Sequence, residues 1–230
     1  MRTVLYVIFL NLIAPIQARA CELALALAVD VSGSVDQDEY NVQMQGLADA
    51  VRDGVVSEAL VQAEAAVMLV QWTGSSRQVV SLPWKRIRTF DDVEALAAAV
   101  ETTPRQWRNF STAIGEALAF TLRQFETAPL CRRRVIDVSG DGVSNEGIEP
   151  RKRHPQLRAA GVVVNALVIE ASISNLRAYF WENVIIGEGA FVATADDYSD
   201  YPDRIRQKLR RETTKQLVCA AQRCAPGEDG

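Results

Sequence analysis

Histidine is almost absent from this chain of 230 residues, in which His154 is the only one. It stands in the polar segment Arg-Lys-Arg-His-Pro, far along the chain from the polar loops described below. A histidine general base or a Ser-His-Asp triad therefore has no obvious source. The sequence also lacks a Walker A loop and a Gly-x-Ser-x-Gly elbow, which argues against P-loop nucleotide binding and against common serine hydrolases. We expect a binding protein rather than an enzyme.

Long apolar sequence is also scarce. The N-terminal apolar run, Val4 to Ile16, covers about thirteen residues, fewer than the roughly twenty that a helix needs to cross a bilayer. Arg2 precedes this run, and Ala18 and Ala20 follow it as an Ala-x-Ala cleavage signal. These features predict a signal peptide over residues 1–20, export to a periplasm or out of the cell, and no transmembrane segment after cleavage.

Basic residues do not dominate the chain. Lys and Arg number 25 against 29 Asp and Glu, which gives a net charge of −4. Cleavage after Ala20 removes Arg2 and Arg19 but no acidic residue, so the charge becomes −6. This balance gives no support to nucleic-acid binding. Cleavage would also expose Cys21 to lipidation, but Ala18 and Arg19 depart from the Leu and small residue usual in lipoprotein signals, so lipidation is the weaker alternative.

The chain contains four cysteines, which are Cys21, Cys131, Cys219 and Cys224. In an exported protein they predict two disulfides, although free buried thiols remain the alternative. Cys21 and Cys131 stand nine and ten residues before aspartates that each end a predicted strand. If those strands are parallel neighbours, the two cysteines lie together. The other pair, Cys219 and Cys224, would close a short C-terminal loop.

Apolar runs and helical spacings alternate along the chain, and a near-continuous apolar run is typical of a strand covered on both faces. Strands are predicted at 23–29, 65–72, 135–138, 162–169 and 190–193, with a hairpin edge strand at 78–82. Helices are predicted from 36 to a stop at Gly54, and at 90–100, 113–125, 150–160, 176–183 and 201–214. This alternation predicts one α/β domain over 21–215, a doubly wound, mostly parallel six-stranded sheet with one antiparallel edge strand and helices on both faces. A tail, 216–230, follows.

Three polar loops follow predicted strands or precede a helix, and they are expected to meet where the strand order reverses. Loop 30–34 reads Asp-Val-Ser-Gly-Ser, loop 109–112 reads Asn-Phe-Ser-Thr, and loop 139–142 reads Ser-Gly-Asp-Gly. Together they offer two carboxylates and several hydroxyls. Such hard oxygen donors suit Mg²⁺, Mn²⁺ or Ca²⁺ better than zinc or copper.

The same residues resemble the metal-ion-dependent adhesion site of von Willebrand factor A (vWA) domains. The chain also resembles a bacterial family of exported vWA-like proteins of unknown function, of the DUF1194 type. This second resemblance covers nearly all of the mature chain. It is carried by the segments C-E-L-A-L-A-L-A-V-D-V-S-G-S-V-D, V-Q-W-T-G, T-A-I-G-E-A-L, R-R-V-I-D-V-S-G-D-G and G-A-F-V.

This resemblance implies a ligand set for a divalent cation. Ser32, Ser34 and Thr112 would supply hydroxyl ligands, and Asp30 and Asp141 would bind directly or through water. Two carboxylates leave the cation under-neutralised and with an exchangeable position, which in the wider family an acidic side chain of a protein partner fills. Mg²⁺ or Mn²⁺ is expected, and Ca²⁺ less so, because Mg²⁺ keeps waters and needs few protein carboxylates.

Three other interpretations bear on this site. Loop 30–34 could be only a capped turn, because Asp and Ser favour both roles. An EF-hand loop starting at Asp30 fails, because Val35 and Asn41 stand where Gly and Glu are needed. A metal-dependent hydrolase could use the same cation, although the sequence offers it little support.

Ser111 stands where the family commonly has Gly, so its hydroxyl either competes for the cation or stays clear.

Other polar and aromatic residues have a structural interpretation. Asp137 falls inside a central strand and is expected to be held by backbone donors or an arginine, or else to support the metal site. The tryptophans are expected to be core residues, with Trp107 the best candidate for a role in ligand binding. Solvated surfaces are expected for the Arg132–Arg134 run and for the basic face of the last helix, which carries Arg204, Lys208, Arg211 and Lys215.

Overall fold

The computed structural model of the protein describes residues 21–171, 173 and 175–222, and for residues 215–222 it describes the backbone alone. The predicted signal peptide and Cys224 lie outside the described residues, so both the cleavage site and the Cys219–Cys224 loop stay predictions. In the part of the chain that is described, no helix combines the length and apolar character needed to cross a membrane.

Strands and helices alternate along the described chain. The strands are β1 (Cys21–Asp30), β2 (Ala66–Trp72), β3 (Gln78–Arg86), β4 (Cys131–Gly140), β5 (Val162–Ile169) and β6 (Val192–Ala195). The helices are α1 (Gln37–Arg52), α2 (Gly54–Gln62), α3 (Phe90–Glu101), α4 (Ile114–Gln124), α5 (His154–Ala159), α6 (Leu176–Asn183) and α7 (Tyr201–Gln222), with a 3₁₀ turn (Pro150–Arg153) before α5.

The six strands form one sheet in the order β3-β2-β1-β4-β5-β6. Every neighbouring pair is parallel except β2 and β3, which are antiparallel and place β3 at one edge. The predicted fold class is therefore confirmed. The strand order reverses between β1 and β4, because the chain winds outwards from β1 to β3 and then returns to the other side of β1.

The sequence of β1 explains how both faces of the sheet are covered. Leucine and alanine alternate along it, and successive side chains of a strand point to opposite faces. Leu23, Leu25 and Leu27 lie in the core beneath α1, α3 and α7. The alanines between them lie in the opposite core, where the small side chains leave room for α4 and for the large ring of Trp72.

Three elements are longer than predicted: β3 and β4 extend beyond 78–82 and 135–138, and α7 continues past 214 to Gln222. Two further predictions need correction. Gly54, predicted as a helix stop, opens the unpredicted helix α2, because the Asp53 carboxylate accepts hydrogen bonds from the backbone N–H groups of Val55 and Val56. The last strand begins two residues later than predicted, at Val192.

Cys21 and Cys131 form the predicted disulfide. They are register partners of β1 and β4, with their Cα atoms 4.4 Å apart. The bond joins positions separated by 110 residues. Closing a loop of that size reduces the entropy of the unfolded chain by an amount worth about 4–5 kcal/mol in the chain-entropy model. The bond therefore stabilises the pairing of the two central strands.

Asp137 is held by a lysine, not by the arginine or backbone donors that we expected. The Lys208 ammonium forms ion pairs with Asp137 on β4 and with Glu212 one turn further along α7, the latter at 2.8 Å. Asn165 of β5 donates a hydrogen bond of 2.7 Å to the same Glu212 oxygen. All four residues are buried. A buried carboxylate is costly unless it is paired, and this network supplies the pairing.

The surface interpretation of the basic residues is thus wrong for Lys208, whose side chain is fully buried. The Arg132–Arg134 run lies on β4, where Arg132 pairs with Glu22 at 3.3 Å. Among the tryptophans, Trp72 is in the core as expected, whereas Trp181 is 57% exposed. Trp107 is partly buried against the core.

Glu212 makes the stability of the fold depend on pH. Burial raises the pKa of Glu212 to about 7, and the nearby Asp137 charge acts in the same direction. The folded chain therefore binds this proton more tightly than the unfolded chain, in which glutamate titrates near 4.5. The resulting stabilisation is complete below pH 4.5 and is lost as the pH rises to about 7.

We predict that the melting temperature of the wild-type chain falls relative to that of Glu212→Gln as the pH rises from 4.5 to 7.5. Glutamine retains an oxygen for Lys208 and Asn165 but does not titrate. Thermal melts of both proteins across this range measure the difference. Parallel curves would show that Glu212 titrates at its ordinary pKa.

Candidate metal centre

The reversal point of the strand order positions two aspartates. Asp30 is the last residue of β1, and Asp141 follows the last residue of β4, the adjacent parallel strand. The carboxyl ends of parallel neighbours lie at the same edge of the sheet, and binding sites of doubly wound folds lie at this point. Both aspartates are buried.

Hydrogen bonds join loop 30–34 to Asp141. The Ser32 N–H donates to Asp30 Oδ1 at 2.8 Å, which folds the loop back onto its first residue. The hydroxyls of Ser32 and Ser34 lie 3.2 Å apart, and that of Ser34 donates to Asp141 Oδ1 at 2.6 Å. Four of the five predicted ligands therefore form a continuous chain of contacts.

Thr112 comes to the same place from the segment before α4. Its backbone N–H donates to the Asn145 side chain at 2.9 Å, and the Asn145 N–H donates back to the Thr112 carbonyl at 2.9 Å. Its hydroxyl lies beside Gly142, where a Cβ would be 3.6 Å away from it. A cavity of about 220 Å³ is lined by Ser34, Thr112 and Asp141, with Asp30 and Ser32 buried outside its lining.

The environment of the Asp30 carboxylate shows whether a cation would fit at this site. Its Oδ2 atom is buried and has no hydrogen-bond partner among the described residues. Burial, and next the charge of Asp141, raise the pKa of Asp30 to about 8. Two close, buried carboxylates with an unsatisfied oxygen are the environment that a divalent cation relieves. The two carboxylates and three hydroxyls therefore fit a hard cation.

The site has few charged ligands. The described residues contain no group of three or more His, Cys, Asp or Glu side chains that could hold a metal ion. The proposed set contains only two carboxylates, Asp30 and Asp141, and its other three members are hydroxyl side chains. The Ser111 hydroxyl hydrogen-bonds the half-buried Glu146 side chain, which takes it away from the proposed ligands.

Three residues that hold the site in place were not predicted from the sequence. The Arg105 guanidinium donates to the carbonyls of Val31 and Ser32, at 3.2 and 2.9 Å, and holds loop 30–34 from outside. Tyr198 donates to Asp141 Oδ2 at 3.1 Å, and Gln43 donates to the Asp30 carbonyl at 3.2 Å. They come from distant segments and match no motif, so only the folded chain reveals them.

A family model described as a protein of unknown function, DUF1194, matches residues 20–217. The chain belongs to this family. No curated protein matches it significantly.

The DUF1194 chain is also similar to solved vWA-type structures. A von Willebrand factor type A protein from Catenulispora acidiphila superposes with a TM-score of 0.55 at 19% identity, covering 86% of this chain and 43% of that one. The mussel byssus protein PTMP1, in a structure titled as having a zinc-occupied MIDAS motif, gives a TM-score of 0.60 at 16% identity, covering 85% and 47%.

A third match is BatB from Bacteroides thetaiotaomicron, described as a conserved hypothetical protein. It gives a TM-score of 0.52 at 18% identity and covers 85% of this chain and 99% of BatB. The DUF1194 chain spans about half the length of the first structures that it matches. These likenesses show a vWA-like fold.

We predict that Asp30→Asn raises the melting temperature of the metal-free protein at pH 9, above the pKa of about 8 that Asp30 has in the folded chain. The substitution removes a buried charge close to Asp141, while an amide oxygen still accepts from the Ser32 N–H. Each kcal/mol gained corresponds to about 2–4 °C in a domain of this size. Calorimetry in the presence of chelator measures the shift.

The matched control is Glu182→Gln, which removes a charge from an exposed position on α6. It should leave the melting temperature within about 1 °C, because isolated surface substitutions have small effects. An Asp30→Asn protein that melts at or below the wild-type temperature would show that Asp30 is well solvated or paired in the metal-free chain.

Proposed function

We propose that this chain is an exported vWA-type module that binds a divalent cation and recognises a protein partner through an acidic side chain on that cation. The observation that carries the proposal is the buried Asp30 Oδ2, which has no hydrogen-bond partner among the described residues and lies near the charge of Asp141. Hydrogen bonds link the Ser32 and Ser34 hydroxyls to Asp141, and Thr112 lines the same cavity as Ser34 and Asp141. Asp30, Ser32, Ser34, Thr112 and Asp141 are the proposed ligands.

The chain's own residues prepare this site. Arg105 and Gln43 fix the carbonyls of loop 30–34, and Tyr198 fixes the Asp141 carboxylate, so the oxygens need little rearrangement on binding. When bound, the cation would supply a positive charge with an exchangeable position for a partner's carboxylate. Mg²⁺ or Mn²⁺ is the proposed ion, and the zinc in the PTMP1 structure makes zinc a necessary comparison.

The disulfide supports export. Structural disulfides form and persist in oxidising compartments outside the cytoplasm. The bond between Cys21 and Cys131 is formed at the base of the two central strands. Together with the Ala-x-Ala signal at residues 18–20, it supports a periplasmic or secreted location.

Metal binding is tested by thermal stability. After removal of metal with chelator and dialysis, Mg²⁺ or Mn²⁺ at about 100 times its dissociation constant should stabilise the wild type by about 2.7 kcal/mol, a rise of roughly 5–10 °C. Asp30→Ala should abolish the rise, and Glu182→Gln should keep it. Ca²⁺ and Zn²⁺ titrations rank the ions. If no ion stabilises the wild type, the proposed site does not bind metal.

Partner recognition is tested by affinity capture from the envelope of the producing cells. We expect a protein that the wild-type bait retains in Mg²⁺, that chelator releases, and that an Asp30→Ala bait does not retain. Glu182→Gln serves as the control bait. Retention that is insensitive to both chelator and Asp30→Ala would contradict recognition through a metal.

A further inference from the structure

Strand β6 leaves one edge of the sheet open in the described chain. It pairs with β5 on one side, and no described strand lies on its other side. The carbonyls of Phe191 and Ala195 accept hydrogen bonds from the β5 side, at 3.1 and 2.9 Å. Backbone groups alternate in direction along a parallel strand, so those of Val192 and Thr194 point away from the sheet.

A basic groove lies along this open edge. It has a volume of about 380 Å³ and follows residues 191–194, with α6 and α7 contributing its other residues. Every charged residue that lines it is basic, and these are Arg177, Arg204, Lys208 and Arg211. The groove is separate from the candidate metal centre, with which it shares no lining residue.

Two of the four cations are neutralised within the chain. Arg204 pairs with Asp200 at 2.8 Å, and Lys208 is held by Asp137 and Glu212. These residues shape the groove and add little net charge to it.

The other two cations have no carboxylate partner among the described side chains. Arg211 packs its guanidinium on the Phe191 ring, 3.8 Å from the centroid, and Arg177 is exposed at the start of α6. Helices α6 and α7 cover opposite faces of the sheet. The open edge is therefore flanked by one unneutralised guanidinium from each face.

We propose that this groove binds an acidic, extended segment of a protein partner, which adds to β6 as a further strand. The outward backbone groups of Val192 and Thr194 match the hydrogen-bonding needs of an extended chain. Carboxylates on the segment meet Arg177 and Arg211, since guanidinium groups pair favourably with carboxylates. Two guanidinium groups on opposite faces of a strand edge fit an extended segment, whose successive side chains point to opposite faces, better than a small compact anion.

The experiment measures fluorescence anisotropy of a labelled peptide, Glu-Thr-Glu-Thr-Glu-Thr-Glu, with the full chain in chelator, so that the metal centre takes no part. We expect saturable binding that weakens as NaCl is raised. Arg177→Glu/Arg211→Glu should weaken binding by about tenfold or more, which corresponds to about 1.4 kcal/mol. A peptide N-methylated at alternate residues, which blocks strand pairing, should bind at least about tenfold more weakly.

The matched control is Arg88→Glu/Arg123→Glu, which makes the same change in net charge at exposed positions away from β6. It should retain affinity within about twofold. If both double variants lost the same affinity for the peptide, the loss would be explained by the change in net charge alone, and the proposal would be wrong. Equal binding of the N-methylated and unmodified peptides would overturn the proposal as well, because strand pairing would then take no part. If the wild type bound no peptide, the proposal would also be wrong, and the arginines would serve only to protect the strand edge from pairing.

Discussion

The parallel pairing of β1 with β4 is the constraint on which both ends of this molecule depend. At the start of the pair, the register places Cys21 opposite Cys131 and allows the disulfide. At the other end, the same register brings Asp30 and Asp141 to the reversal point of the sheet. If the two strands shifted along each other, the two cysteines would no longer face each other, and the two carboxylates would also move apart. The disulfide and the candidate metal centre therefore depend on the same strand register.

The chain treats its buried carboxylates in two ways. Asp137 and Glu212 share one cation supplied by the fold, because α7 places the Lys208 ammonium between them. Asp30 and Asp141 receive hydrogen bonds from serine, tyrosine and backbone groups but form no ion pair with a described residue. The two pairs therefore differ in whether the fold itself supplies a charged partner.

Much of the fold could be predicted because its signals are local. The apolar run of β1, the polar loops after β1 and β4, and the cysteine spacings are each readable in short windows of sequence, and the sheet and the disulfide follow from them. Helix α2 was missed because the Asp53 cap that starts it looks like the end of α1. Lys208 was misplaced because a charged residue one turn from other basic residues resembles a solvated face, and only tertiary packing brings Asp137 to it. Arg105 and Tyr198 left no sequence signal, since their contacts with the site are made across distant segments.

The five proposed ligands are spread over 112 positions, from residue 30 to residue 141, and they meet only after two crossovers have brought β4 beside β1. Non-local contacts of this kind carry a loop-closure entropy that must be overcome before they contribute to stability. Partly folded chains, or fragments that end before β4, would lack the complete set of oxygens. Cation affinity would therefore serve as a readout of complete folding, distinguishing finished molecules from compact intermediates that already contain normal amounts of helix and strand.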